Sequence, residues 1–149
     1  MSDSDLIKLY SGRILQLAAD IPHTDRLADP QATVKKRSPL SGSTVTVDLT
    51  TESGRITAFG QDVKACALGQ AAAAVVGAHI LGCTRAQVET ARDQLKAMLK
   101  SDGPVPDAPF SDLEVLLPAR DFKNRHASIM LTLDAASEAM AQAEKAACA

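Results

Sequence analysis

The sequence contains no tryptophan, and aromatic residues make up only 3% of its 149 residues. Proteins stack nucleic-acid bases and sugar rings on aromatic side chains, so this scarcity argues against a carbohydrate site and a single-strand site. Basic residues are not in excess either, since 16 lysines and arginines stand against 18 acidic residues. The cationic surface of a nucleic-acid-binding protein is therefore not expected, and neither DNA nor RNA is expected as a partner.

A long run of strongly apolar residues is also missing. The N-terminal stretch is charged throughout and has no basic-then-apolar order of the kind found in signal peptides. The least polar segment, residues 65–83, is dominated by alanine and glycine and contains Gln70 and His79. Such a segment inserts poorly into a bilayer, so we expect no membrane span and a cytoplasmic location.

Cysteines are few and widely spaced: Cys66, Cys83 and Cys148. An odd number without a C-x-x-C pair gives neither a disulfide framework nor a self-contained zinc finger. The sequence motifs of zinc proteases, P-loop proteins, dinucleotide-binding proteins and serine hydrolases are absent as well. Cys83, in a turn between two helices, and Cys148, at a terminus, are interpreted as incidental.

What remains is the composition of one folded domain, 46% hydrophobic and 23% charged, which we expect to span residues 1–149. Apolar and polar residues alternate in STVTVDL, and the turn TESG with the following RITAF completes a hairpin. The basic ATVKKR segment predicts a third strand at an exposed edge. The predicted fold class is α+β, a three-stranded antiparallel sheet with helices packed on one face.

Helical periodicity and capping residues predict five helices around this sheet. The first carries Leu6, Ile7, Tyr10, Ile14 and Leu17 on one face, and the punctuated segment 21–30 after it is predicted to be a loop. Two capping boxes, Thr84 with Gln87 and Ser111 with Glu114, are predicted to open later helices. The predicted limits are about residues 6–20, 67–82, 85–100, 111–118 and 121–146.

The candidate for chemistry is Cys66, which lies where the hairpin gives way to a helix. Backbone N–H groups and the helix dipole favour a thiolate there, but a cysteine can equally serve as a small buried apolar group. His79 lies thirteen residues further on, roughly 20 Å along a helix, too far to act as its base. His126 qualifies only if the last helix approaches, and otherwise it is a surface or helix-start histidine. Asp62 is either a metal ligand or a solubilising charge.

Four segments resemble the NifU/IscU-like family of iron-sulfur cluster assembly scaffolds, including its SufU branch. LYSGRILQLAAD resembles the opening helix, SPLSGSTVTVDL the Asn-Pro-x-Cys-Gly-Asp strand entry, and KACALGQAAAAVV the Gly-Cys helix start. SDLEVLLPARDFKNRHASIM resembles the closing segment before the third cysteine. The similarity runs from about residue 6 to residue 136 and implies the α+β fold of SufE and NifU-like proteins.

The resemblance implies a site of three cysteines and an aspartate that holds a nascent iron-sulfur cluster or a zinc or iron ion. In this chain Ser41 stands at the first cysteine position, Ser43 at the aspartate and Cys66 at the second cysteine. The third cysteine position falls on Ser128, or on Ala127 beside His126 after a shift of one residue. With these ligands replaced, the implied cofactor is a cluster, a single ion, or none.

Three functions follow as hypotheses. In the first, a non-enzymatic assembly protein uses Cys66 as its one cluster ligand or as the acceptor of persulfide sulfur, with a cysteine desulfurase and other iron-sulfur assembly proteins as partners. In the second, the chain is a docking or regulatory module without chemistry of its own. In the third, Cys66, His126 and Asp62 hold a mononuclear zinc or iron ion.

Overall fold

A computed structural model describes residues 8–148 of the chain. Three strands, β1 (Ala32–Arg37), β2 (Thr44–Glu52) and β3 (Arg55–Lys64), form one antiparallel sheet in the order β1-β2-β3. Four α-helices are described, α1 (Gly12–Ala19), α2 (Ala67–His79), α3 (Arg85–Lys100) and α4 (His126–Cys148), together with 3₁₀ segments at Ser111–Asp121 and Lys123–Arg125. The predicted α+β class, with its three-stranded antiparallel sheet, is confirmed.

The core lies between one face of the sheet and helices α2 and α4. Val45, Val47 and Leu49 of β2 are fully buried, because alternate residues of a strand point to the same face. The four consecutive alanines of α2, residues 71–74, are buried as well. Small side chains on every side of α2 allow its neighbours to pack close to its backbone.

The opposite face of the sheet is covered by the loop that precedes β1. The Asp48 carboxylate on that face accepts hydrogen bonds from Arg26 (2.6 and 3.0 Å), from the Leu27 N–H (3.1 Å) and from the Thr33 hydroxyl (2.6 Å). Asp48 is fully buried, and a buried carboxylate requires such partners. This loop is the segment that the sequence predicted to be irregular.

Several predicted helix limits were wrong. The first predicted helix is interrupted at Tyr10, and α1 begins after it. Ser11 caps α1 by accepting a hydrogen bond from the Ile14 N–H (3.3 Å). Leu6 and Ile7, which were predicted to be helical, lie outside the described range. Helix α2 ends at His79 rather than at Gly82. Helix α4 starts at His126 rather than near residue 121, after a 3₁₀ turn in which the Arg125 N–H donates to the Phe122 carbonyl (2.9 Å).

One of the two capping boxes is confirmed and the other is wrong. Thr84 and Gln87 exchange the predicted hydrogen bonds at the start of α3. Ser111 instead follows the capping residue Phe110 in a 3₁₀ segment that has no side-chain cap and continues past Pro118. Phe110 is 1% exposed, so burial of this ring, rather than a local polar motif, fixes where the segment begins.

Within residues 8–148, none of the helices combines the length and the apolar character needed to cross a membrane.

Candidate functional site

Cys66 is the residue immediately before α2. Its backbone is extended (φ −66°, ψ 169°), and its carbonyl accepts the first helical hydrogen bond from the Gln70 N–H (2.9 Å). The unpaired amides of the first helical turn therefore lie beside the side chain. The thiol is half-buried, so it is sheltered by protein while keeping a path to solvent.

The connection between β1 and β2 lies at the same end of the sheet. The Ser38 N–H donates to the Ser43 carbonyl (2.8 Å), and the Gly42 N–H donates to the Ser38 carbonyl (2.9 Å), which closes the loop. Gly42 adopts φ +73°, a left-handed conformation that favours glycine. Thr44, which follows Ser43, pairs with Lys64 near the end of β3, and this pairing carries the loop toward Cys66.

Helix α4 supplies the third part of the site, Ser128 in its first turn. A Cβ on Gly69 would lie 2.8 Å from the Ser128 Oγ and 3.1 Å from the Ser128 carbonyl oxygen. A glycine in α2 therefore gives Ser128 the room to approach the start of that helix. Ala127, the alternative third position, lines a groove with Lys36 and Asp134, whereas Ser128 contacts Cys66.

The side chains of these elements meet in a continuous chain of contacts. The Cys66 Sγ lies 3.5 Å from the Ser128 Oγ. The Ser128 Oγ in turn lies 3.2 Å from the Ser43 Oγ, and the Ser43 Oγ lies 2.9 Å from the Ser41 Oγ. The Ser43 N–H donates to the Ser41 Oγ (3.2 Å). The structure thus brings together the four residues that the sequence aligned with the ligand positions.

The electrostatic surroundings favour the ionised form of Cys66. Burial acts to raise the pKa of the thiol, but the Ser128 hydroxyl and the nearby backbone N–H groups of Gly69 and Leu68 lower it, and the charge of Arg125 lowers it further. The net pKa lies below the ordinary value for a thiol. The thiolate is the form that acts as a nucleophile, so the site is suited to nucleophilic chemistry.

His126 is the first residue of α4 and is 2% exposed. Its Nε2 lies 2.9 Å from the carbonyl oxygen of Ala119. A carbonyl oxygen only accepts hydrogen bonds, so this nitrogen carries the proton and donates it, and is not free to bind a metal. The predicted helix-start position of this histidine agrees with the structure, whereas the alternative of a surface position was wrong, because the side chain is buried.

Asp62 is directed elsewhere. Its carboxylate lies 3.8 Å from the Lys64 Nζ, and its side chain is 45% exposed. The neighbouring Gln61 lies on the opposite face of β3, where its side-chain amide donates a hydrogen bond to the Ala73 carbonyl of α2 (3.0 Å). Among the described residues, no three His, Cys, Asp or Glu side chains are grouped to hold a metal ion. Cys66, His126 and Asp62 therefore do not gather into the metal site suggested by the third hypothesis.

The remaining cysteines and histidines lie away from Cys66. The Cys83 thiol is buried and lies 3.4 Å from the His79 carbonyl, and burial raises its pKa. Cys148 is exposed. The His79 Nε2 lies 3.3 Å from a carboxylate oxygen of Asp112, and His23 is exposed.

Sequence reasoning missed the contributions of Arg125 and Gly69 to this site. The sequence gives no sign of a role for Arg125, because its electrostatic effect depends on the 3₁₀ turn that holds it near Cys66. Gly69 has a visible signal, since a glycine inside a predicted helix lowers helix stability and is therefore expected where a neighbouring group packs too closely for a side chain. That signal does not reveal which residue fills the space.

The fold and the site together define a class of protein: an α+β domain that presents one thiol at a helix start, surrounded by serine hydroxyls. No protein-family model and no curated protein matches the sequence. Solved structures do match. The N-terminal part of a nitrogen-fixing NifU-like protein from Brucella abortus has 41% identity and a TM-score of 0.92, over 95% of this chain and 98% of that one.

A second solved structure, a SufU protein assigned as an iron-sulfur cluster assembly scaffold of the SUF system in Fervidobacterium islandicum AW-1, is more distant. It has 14% identity and a TM-score of 0.82 over 90% of this chain and 98% of that one, so it shows the fold alone. The identity to the Brucella protein extends over nearly the whole chain, and the chain therefore belongs to the NifU-like family.

Proposed function

We propose that this chain is an iron-sulfur cluster assembly protein of the NifU type in which Cys66 accepts sulfur from a cysteine desulfurase. The observation that carries the proposal is the position of Cys66: a half-buried thiol of lowered pKa at the start of α2, where the aligned ligand positions meet. Membership in the NifU-like family supports the assembly role. The description of the Fervidobacterium protein agrees with it.

The chemical step is a persulfide exchange. The Cys66 thiolate attacks the outer sulfur of a persulfide on the desulfurase and forms a new S–S bond, while the S–S bond of the donor breaks. The donor cysteine leaves as a thiolate, and Cys66 carries the transferred sulfur as Cys66–S–SH. No external oxidant or reductant is required, because one S–S bond replaces another.

Holding a complete cluster is a different task, and the residues present do not fit it. A two-iron cluster needs four ligands, normally thiolates, and the site offers one thiol with the hydroxyls of Ser41, Ser43 and Ser128. Neutral hydroxyls are poor ligands for soft metals. In this proposal the cluster is a product made elsewhere, and the chain contributes sulfur.

The test is sulfur transfer from a purified cysteine desulfurase supplied with radiolabelled cysteine. We expect label to appear on Cys66, to be released by dithiothreitol, and to be absent from Cys66→Ser. The variants Cys83→Ser and Cys148→Ser, which change thiols outside the site, should accept label as the unaltered protein does. Lack of transfer to Cys66, in a preparation where the desulfurase produces sulfide, would overturn the proposal.

The docking-module hypothesis predicts a different result in the same experiment. A protein that only docks would bind the desulfurase equally well as Cys66→Ser and would carry no label in either form. Measuring complex formation beside sulfur transfer therefore separates the two functions.

A further inference from the structure

We propose that Ser128, Ser43 and Ser41 are positioning residues that stabilise negative charge on the Cys66 sulfur while sulfur passes to and from it. The inference rests on the proposed function, because it concerns how the same thiol works. It assigns a role to three side chains that would otherwise only mark the loss of metal ligands.

The hydrogen bonds place one serine proton within reach of the sulfur. A serine hydroxyl has a single proton to donate. The Ser41 hydroxyl donates to the Ser43 Oγ (2.9 Å), and the Ser43 N–H donates back to the Ser41 Oγ (3.2 Å). The Ser128 hydroxyl donates to the Ser43 Oγ (3.2 Å) and lies 3.5 Å from the Cys66 Sγ, where either atom can donate. When Cys66 is a thiolate, only Ser128 can donate in that contact, so its proton turns to the sulfur while Ser43 and Ser41 keep its hydroxyl in place.

Burial makes these contacts stronger than they would be at the surface. Ser43 is 5% exposed and Ser128 is 2% exposed, so water does not compete freely for their hydroxyls. Hydrogen bonds in such surroundings polarise one another and are electrostatically stronger than in water. Only Ser41, at the exposed end of the series, exchanges readily with solvent.

Sγ carries negative charge at the start of one step and at the end of the other. Cys66 attacks as a thiolate when it accepts sulfur, and it leaves as a thiolate when a nucleophile removes the outer sulfur. A group that stabilises this anion raises the fraction of Cys66 present as thiolate near neutral pH and makes Cys66 a better leaving group. The gain in thiolate exceeds the accompanying loss of nucleophilicity, because nucleophilicity falls less steeply than the pKa.

The experiment uses two small probes, so that it does not depend on the desulfurase. Inorganic polysulfide loads Cys66: the thiolate takes one sulfur atom, and the shortened polysulfide leaves. Cyanide then removes the outer sulfur as thiocyanate, and the Cys66 thiolate departs. Mass spectrometry follows loading, and the absorbance of the iron complex of thiocyanate follows removal.

We expect Ser128→Ala to slow loading and removal by about threefold each near neutral pH. A hydrogen bond to a charged group shifts a thiol pKa by about one unit or more, and the altered nucleophilicity partly offsets the lost thiolate. Ser43→Ala should slow both steps less, and Ser43→Thr, which keeps the hydroxyl, should restore them. The matched control is Ser137→Ala. Ser137 is a buried serine of α4 whose hydroxyl accepts a hydrogen bond from Arg92 (2.6 Å) and does not contact Cys66.

Unchanged rates in Ser128→Ala, with the thermal unfolding midpoint showing a folded protein, would overturn the inference. So would equal slowing in Ser137→Ala, because that result would indicate a general loss of packing. If polysulfide loads the wild-type protein with the expected serine dependence but the desulfurase does not, the proposed function fails and the role of the serines stands.

Discussion

The Sγ of Cys66 lies 3.5 Å from the Oγ of Ser128, although the two residues are 62 positions apart in the sequence. The contact joins the start of α2 to the first turn of α4. The Ser43 hydroxyl continues it into the β1–β2 loop. Three elements of the fold therefore converge on a single thiol, and each of them offers a separate way to test how that thiol behaves.

The first prediction concerns the pH dependence of alkylation. The pKa of Cys66 lies below that of an ordinary thiol, so its thiolate persists to lower pH. The alkylation rate should reach half its maximum at a lower pH for Cys66 than for a free thiol. Iodoacetamide labelling across a pH series, resolved by peptide mass spectrometry, measures this value.

Cys83 provides an internal comparison in the same digest, because burial raises its pKa. Its labelling should rise only at a higher pH. Ser128→Ala should move the Cys66 profile upward, toward the ordinary value. A Cys66 profile that coincides with that of Cys83 would contradict this description of the site.

The second prediction concerns Gly69. A Cβ at this position would meet the Ser128 Oγ, the Ser128 carbonyl oxygen and the Cβ of Ala65 at 2.8 to 3.1 Å. Gly69→Ala should therefore destabilise the protein by about 1–3 kcal/mol through overpacking, despite the better helix propensity of alanine. It should also weaken the contact of Ser128 with Cys66. Urea unfolding and the alkylation profile measure the two effects.

Gly12 is the matched control for this substitution. It is the first residue of α1, and a Cβ there would meet nothing within 4 Å. Gly12→Ala should leave the free energy of unfolding unchanged or slightly raised. Equal destabilisation by both substitutions would refute a specific role for the space at Gly69.

The third prediction concerns the buried carboxylate of Asp48. Burial acts to raise its pKa, but hydrogen bonds from Arg26, Thr33 and the Leu27 N–H lower it, and the net shift is downward. Asp48→Asn keeps the shape of the side chain and removes the charge. At neutral pH it should lower the free energy of unfolding by about 2 kcal/mol, the scale of hydrogen bonds to a charged group.

The sign of the pH effect follows from the lowered pKa. The ionised carboxylate stabilises the folded state above its unfolded pKa, and this stability is lost as the pH falls through the folded pKa. The gap between wild type and Asp48→Asn should therefore close in acid. Glu138→Gln is the control, since the ion pair of Glu138 with Lys36 is exposed and is worth less than about 1 kcal/mol.

Local patterns were sufficient to predict three strands and the position of Cys66, although β3 continues to Lys64, five residues past the predicted RITAF. The ATVKKR segment forms β1 at the predicted residues. Its apolar residues alternate with polar ones, and this alternation indicates which face of a strand is buried. Cys66 directly precedes α2, as the sequence predicted, because small apolar residues follow the polar end of β3. Both predictions depend only on neighbouring residues.

The choice between Ser128 and Ala127 lay beyond the sequence. It depends on the rotation of α4 about its axis, which is set by where the preceding 3₁₀ turn ends, at Arg125. The 3₁₀ form of residues 111–121 was missed for the same reason, because burial of Phe110 overrides the local capping signal. Tertiary contacts decide such helix starts, and a single sequence does not record them.

The last prediction returns the aligned positions to the ligands implied by the family resemblance. The triple variant Ser41→Cys, Ser43→Asp, Ser128→Cys places two more thiols and a carboxylate beside Cys66, a donor set that suits zinc. The sulfur ligands of a tetrahedral zinc ion lie about 3.8 Å apart, whereas the side-chain atoms at these positions now lie 2.9 to 3.5 Å apart, so the new thiols must spread around the ion. The exposed position of Ser41 allows that adjustment.

We expect the triple variant to retain about one zinc ion per chain when it is purified without chelator, because it supplies four ligands where the wild type has one thiol. The bound zinc should also be protected from a chromophoric chelator. The wild-type protein should retain far less than one ion. The same triple variant with Cys66→Ser, which leaves the new ligands in place, should bind zinc more weakly. Equal zinc content in the wild type and the triple variant would show that the three serines do not prevent metal binding at this site. The proposal that Cys66 accepts sulfur instead of holding a metal would then lose its support.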